Sequence, residues 1–235
     1  MSERGEEWAL AQFALDNLQS RAAHLRWNAS QVRKVGGSEE RIQLACAALL
    51  DEFAEWRGRQ LFIEEDEKDA LEDLWQLDTD VMPTFLNYPP LVNRNSFYAC
   101  LLNEYRSAVL FVTFIAYPVI GVSCVYDDMR MTHAIELCRA VGTMGHTLLP
   151  VPLVRVLQLA GLVFASRTRY PAECEWIEDQ LDKLKDRGVA GADKVKEMLQ
   201  LVWASSHPWL YEETERMMQN EEDLAILGGE ELYEK

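Results

Sequence analysis

Apolar side chains recur at three- and four-residue steps along most of the chain, which is the signature of helices that bury one face. Trp8, Phe13, Leu15, Leu18, Ala22, Leu25 and Val32 predict an amphipathic helix from about Glu6 to Lys34, with a break admitted near Asn28, ending at Gly36-Gly37. Ser38 then offers an N-cap, Glu39 and Glu40 suit the positive end of a helix dipole, and Ile42, Leu44, Ala45, Leu49, Phe53 and Trp56 continue the period to Gly58. So short a turn between two helices predicts an antiparallel pair.

Leu61 to Leu77 sets Leu71, Leu74, Trp75 and Leu77 among acids, the pattern of a short amphipathic helix inside an acidic loop. Pro83, Pro89 and Pro90 make Val81 to Asn95 irregular. Helical spacing resumes at Ser96 with Phe97, Cys100, Leu101, Tyr105, Val109, Val112 and Ile115, and runs into Pro118. Further helices are predicted from Asp127 or Met131 to Met144, from Pro152 to Ser166, from Pro171 through Leu184, and from Ala190 to Trp203. The turn between the last two is Gly188-Val189-Ala190-Gly191. No hairpin alternation and no repeat of 20 to 50 residues is visible. The expected fold is all-α, a single multi-helix bundle-like domain over residues 1–206 with an acidic loop, followed by an acidic and hydrophobic tail at 207–235.

Charge changes this picture by its placement. The 235 residues hold 39 Asp+Glu against 23 Lys+Arg, a formal charge of −16 that opposes direct binding to nucleic acid or an anionic membrane. Nine acids against Lys68 lie between Glu64 and Asp80, and nine against Arg216 and Lys235 lie between Tyr211 and Lys235. The body outside these two stretches is close to neutral. Five cysteines (Cys46, Cys100, Cys124, Cys138, Cys174) lie at least 14 residues apart without a C-x-x-C pair, which fits reduced thiols in an intracellular protein of nucleus or cytoplasm. The acidic start Met1-Ser2-Glu3-Arg4-Gly5-Glu6-Glu7 lacks the apolar core of a secretory signal. Ser107 to Tyr126 is free of charge and long enough to span a bilayer, but Pro118, Gly121 and Ser123 interrupt it, so a buried core helix is expected.

From Phe97 to Trp203 the chain resembles the C-terminal half of the regulatory domain of fungal zinc-cluster transcription factors. The resemblance is carried by Tyr88-Pro89-Pro90 leading into Phe97-Tyr98-Ala99-Cys100-Leu101-Leu102-Asn103-Glu104-Tyr105-Arg106, then Glu136-Leu137-Cys138-Arg139-Ala140 with Met144-Gly145. Leu149-Pro150-Val151-Pro152-Leu153-Val154, Glu175-Trp176-Ile177 and Lys194-Val195-Lys196 to Trp203 complete it, and the helix Leu44 to Trp56 extends it to about two thirds of the chain. These are packing patterns, not catalytic motifs. The six-cysteine DNA-binding cluster of that family has no counterpart here, so the resemblance implies a regulatory-type scaffold that does not read DNA directly.

Candidate chemistry is sparse. Asp127-Asp128-Met129-Arg130-Met131 has the first two carboxylates of a class I terpene-cyclase motif but Met131 where the third belongs, and no second metal motif follows. An acidic helix start explains it more simply. Asp127, Asp128 and His133 remain the candidates for a general acid or base, with Cys138 near His133. Four histidines without H-x-x-x-H or H-E-x-x-H spacing argue against a metal site, and no nucleotide-binding glycine motif is present, so no cofactor is expected. Phe97, Tyr98, Tyr105, Phe111, Phe114, Tyr117 and Tyr126 crowd one stretch of the chain. Core packing accounts for such a cluster, or an apolar pocket lined by Phe97, Tyr105, Phe114, Tyr117, Tyr126 and Met144, with Arg106, Glu104 and Asn103 as the nearest polar groups to orient a ligand.

The expectation is a fungal transcription-factor-like regulatory protein that binds a small apolar metabolite, and a protein partner through residues 211–235, without direct nucleic-acid contact or a membrane span. A homodimer is compatible with it. The rival is a biosynthetic enzyme, a cyclase or isomerase of an apolar intermediate in secondary metabolism, built on the same scaffold.

Overall fold

A computed structural model describes residues 3–60, 85–88, 91, 96–120, 124–144, 151–165 and 169–204. The described residues form α1 (Glu3–Val35), α2 (Glu39–Gly58), α3 (Ser96–Ile120), α4 (Cys124–Met144), α5 (Val151–Val163), α6 (Pro171–Asp186) and α7 (Ala192–Ala204), with no strand among them. The fold is all-α. It divides into two compact units, Met1–Val163 and Phe164–Lys235. The predicted helix at 61–77 and the tail at 207–235 lie outside the described residues.

In the first unit α1 packs on α2 and α3, α2 on α3, α3 on α4, and α5 on α4 and α3. Helix α1 runs unbroken through Asn28 and ends at Gly36, whose φ of +82° a side chain would resist. It buries Ala11, Leu15, Leu18, Ala22, Leu25 and Ala29, a stripe repeating at three and four residues. Two apolar positions of the sequence pattern fall elsewhere: Phe13 is 72% and Leu44 65% exposed, because alanines and Cys46 occupy the tight helix contacts. Ser38 sits at the N-cap of α2 without a side-chain cap bond, and its carbonyl accepts from Arg41 N–H at 3.2 Å. The α1 and α2 helices run antiparallel, pinned by Trp56 Nε1–H donating to Ala11 O at 3.1 Å near one end and by the Arg21–Glu52 ion pair further along.

Helix α3 is the central element. It continues past Pro118 to Ile120, and its window Tyr98–Ala116 is apolar and long enough to cross a membrane, yet 78% of that window is buried within the protein. Thr113, fully buried, satisfies its hydroxyl by donating to Leu110 O at 2.7 Å. Helix α4 starts three residues ahead of Asp127, and α5 is buried on nearly every side, through Leu153, Val154, Val156, Leu157, Leu159, Ala160 and Leu162. A turn at 85–88 closes with Tyr88 N–H donating to Phe85 O at 2.8 Å; Leu86 and Asn87 both take positive φ, and Phe85 is buried.

In the second unit α6 and α7 form a hairpin. Its core is Cys174, Ile177, Leu181, Leu184, Val195, Met198, Leu199 and Trp203, and Lys196 pairs with Asp182 at 2.6 Å on the outside. Pro171 opens α6 where a missing N–H costs nothing. The Gly188-Val189-Ala190-Gly191 segment is the expected helix-to-helix turn. Gly188 N–H donates to Lys185 O and Val189 N–H to Leu184 O, with Leu184 and Val189 both buried, the paired bonds and apolar contact of a Schellman cap.

Glycine chemistry gives two substitutions of opposite sign. A Cβ meets nothing within 4 Å at either Gly188 or Gly58, so only backbone conformation differs. Gly188, at φ +79°, is expected to lose about 1 kcal/mol on Gly188→Ala, whereas Gly58→Ala at the end of α2 is expected to gain a few tenths, both read by urea denaturation.

Candidate functional site

The seam between α3 and α4 concentrates charge inside an apolar body. Arg106 is a cation in the middle of α3 and is 5% exposed, a position that needs a carboxylate. Helix α4 supplies Glu136, whose Oε2 accepts from Arg106 Nε at 2.9 Å, while Asn103 Oδ1 accepts from Arg106 Nη1 at 3.3 Å one turn back on α3. His133 Nδ1 stands 3.4 Å from the same Glu136 oxygen, an ion-pair distance whose geometry falls short of a hydrogen bond. Burial pushes the Glu136 carboxyl up, but His133 and Arg106 outweigh it and hold the group at about 2.

Aromatic rings close the same seam. Tyr105 stacks on Trp56 of α2 at 5.4 Å between centroids, meets Phe53 edge-on at 6.2 Å, and presents its other edge to His133 at 5.8 Å and 87°. Burial raises the Tyr105 phenol, opposed by the nearby Arg57 and Arg106 and reinforced by Glu136. Along α4, Tyr126, Met129, His133 and Glu136 recur at three and four residues, so one stripe of that helix meets α2 and α3. Tyr126 and Met129 pack on the core formed by α1, α2 and α3. Burial raises the Tyr126 phenol too, with Cys46 and Asp51 of α2 adding to it. Arg139, one turn beyond Glu136, has its pKa lowered by burial, offset by Glu136, and its carbonyl accepts from Leu91 N–H at 3.1 Å.

Of the residues expected from the sequence, Tyr105, Arg106, Tyr126 and His133 are brought to this seam. Phe114 is half-buried and lies about 180° around α3 from Tyr105, so the two do not line one cavity from that helix. Phe97 and Tyr117 stand on α3 and Met144 on α4, with side chains outside the described residues. Asp127 pairs with the buried Arg130 of its own helix, and Asp128 is exposed, so the carboxylate beside His133 is Glu136 and not Asp128. Cys46, Cys100, Cys138 and Cys174 carry thiols without a disulfide, and burial with the neighbouring Glu104 pushes the Cys100 thiol up. Among the described residues no three His, Cys, Asp or Glu side chains gather at metal-binding distance.

Glu136, Trp56, Phe53, Arg57 and Arg139 are the participants that sequence reasoning did not nominate. His133 and Glu136 are three apart on one helix and hence neighbours, and a central Arg106 in so apolar a helix requires a partner; those two signals together point to Glu136. No protein-family model, no curated protein and no solved structure matches the chain.

The seam has a pH signature. Glu136 titrates below its usual 4.5, so its contribution to stability is complete above pH 4.5 and is lost as pH falls toward about 2. Glu136→Gln is expected to cost roughly 2 kcal/mol at neutral pH by leaving Arg106 without this carboxylate. The difference between wild type and variant, followed by urea denaturation, is expected to shrink between pH 4.5 and 2.

Proposed function

We propose that the chain is a regulatory-type helical binding protein that recognises a small ligand with an apolar body and one polar group, and does not bind DNA directly. The observation that carries this reading is the pair of partly exposed rings Tyr105 and His133, backed by the buried Trp56 and Phe53 and set directly beside the Arg106–Glu136 pair. Aromatic walls with a few convergent polar groups are what orient a small apolar molecule. The resemblance to the regulatory domains of fungal zinc-cluster transcription factors supports the same class, and the acidic 211–235 segment is its proposed contact for a protein partner inside the cell.

The His133–Glu136 pair favours a second reading, a cyclase or isomerase of an apolar metabolite using His133 as acid or base. Arg106 argues against Glu136 as a base, since it holds that carboxylate ionised and occupied.

Native mass spectrometry of the purified protein, after incubation with a lipophilic extract of the cells that produce it, separates the two. A binding protein is expected to retain one compound at one-to-one stoichiometry, unchanged in mass, with Tyr105→Ala weakening retention about tenfold. An enzyme would convert the compound and lose that turnover in His133→Ala. Retention of nothing, with the fold intact by circular dichroism, would sink both.

A further inference from the structure

The outward face of α1 carries a second pattern that the core does not use. Opposite the buried stripe, Glu6, Leu10, Phe13, Asn17, Ser20, His24, Trp27, Gln31 and Lys34 follow one another at alternating steps of four and three residues, a seven-residue repeat. Leu10 is 71%, Phe13 72% and Trp27 59% exposed, and the His24 and Trp27 rings stack on each other at 6.0 Å. Between Glu6 and Lys34 the repeat holds no Asp, Glu, Lys or Arg, in a protein where 26% of residues are charged. The cations beside it are turned to other work: Arg21 grips Glu52 through Nη2 at 2.6 Å, and Arg26 lies over the Phe111 ring at 5.7 Å.

We infer that this face docks against the same face of a second copy of the chain, with the two α1 helices antiparallel. Phe13 with Trp27, and Glu6 with Lys34, are placed symmetrically about Ser20, as a two-fold contact requires. An axis at Ser20 sets Phe13 against the partner's Trp27 and Glu6 against the partner's Lys34, because the members of each pair are equally spaced from position 20. The small Ser20 side chains meet at the axis, where they let the backbones approach. The charge order along α1 enforces the direction. Its first half holds Glu3, Glu6, Glu7 and Asp16 against Arg4, while its second half holds Arg21, Arg26, Arg33 and Lys34 and no acid. Antiparallel packing therefore brings opposite signs together and parallel packing brings like signs together. For a chain of charge −16, an uncharged stripe is also where a second copy is repelled least.

Sedimentation equilibrium of the full chain across micromolar concentrations tests the inference. The wild type is expected to move from 27.0 kDa toward twice that mass. Phe13→Glu, at an exposed position, is expected to weaken association at least about tenfold while leaving helical circular dichroism and the unfolding midpoint unchanged. Glu6→Lys and Lys34→Glu are each expected to weaken it, and the double variant to recover it, a rescue that only antiparallel self-pairing produces. A monomer at every concentration, or a dimer indifferent to Phe13→Glu, overturns the inference and leaves the face to another protein or to residues 61–84 of the chain itself. A dimer that loses affinity in both charge variants without recovery in the double overturns the antiparallel register.

Discussion

The indole of Trp56 ties the first unit together. Its N–H reaches a carbonyl inside α1, its ring is the platform on which Tyr105 of α3 stacks, and Tyr105 in turn meets His133 of α4. One side chain of α2 thus sets the positions of three other helices. Trp56 is 2% exposed, so these contacts are made where water cannot compete and where a displaced ring would leave a void. Together with the Arg21–Glu52 pair it fixes α1 against α2, and through Tyr105 it meets the polar seam of Arg106, His133 and Glu136.

That seam explains why the near-neutral body tolerates ionised groups at all. Arg106 is almost completely buried, whereas Glu136 keeps about a third of its side chain in contact with solvent, 6% against 32% exposure. The pair is therefore anchored at the arginine end and wet at the carboxylate end. Removing one partner of such a pair costs more than the pair contributes over apolar side chains of the same shape, because the buried guanidinium is then left without this carboxylate. Of the candidate residues on these two helices, those that meet at the seam are Tyr105, Arg106, Tyr126 and His133.

Much of this was legible in the sequence. Helix type and order followed from the three- and four-residue period, and the ends at Gly36, Pro171 and Gly188 were marked by residues whose backbone preferences leave few alternatives. What periodicity could not resolve was which of two superimposed patterns faced the core. Phe13 and Leu44 are bulky and apolar yet point outward, while Ala11, Ala22 and Ala29 lie inside, because close helix contacts select small side chains and a hydrophobicity pattern ranks them below phenylalanine. Asn28 did not break α1, since its neighbours Ala29 and Ser30 are buried and tertiary packing outweighs a weak local propensity. The candidate site was half visible. Arg106 and His133 stood out as chemistry, but the carboxylate that Arg106 meets and the ring that His133 meets each lie on another helix, and no spacing rule along one chain reports a contact such as Tyr105 with Trp56.

The order in which helices neighbour one another has a kinetic meaning. Pairs α1 with α2, α3 with α4, α4 with α5, and α6 with α7 are all consecutive along the chain, so most of the fold is made of local contacts that search little conformational space. Besides the contact of α3 with α5, the exception is the union of the α1–α2 hairpin with α3, whose partners are separated by the long stretch between Arg59 and Ser96. Trp56 meets Tyr105 at that union. The Trp56 and Phe53 side of the candidate site is consequently completed in the least local step of folding, whereas its Arg106–Glu136 side belongs to the consecutive pair α3 and α4.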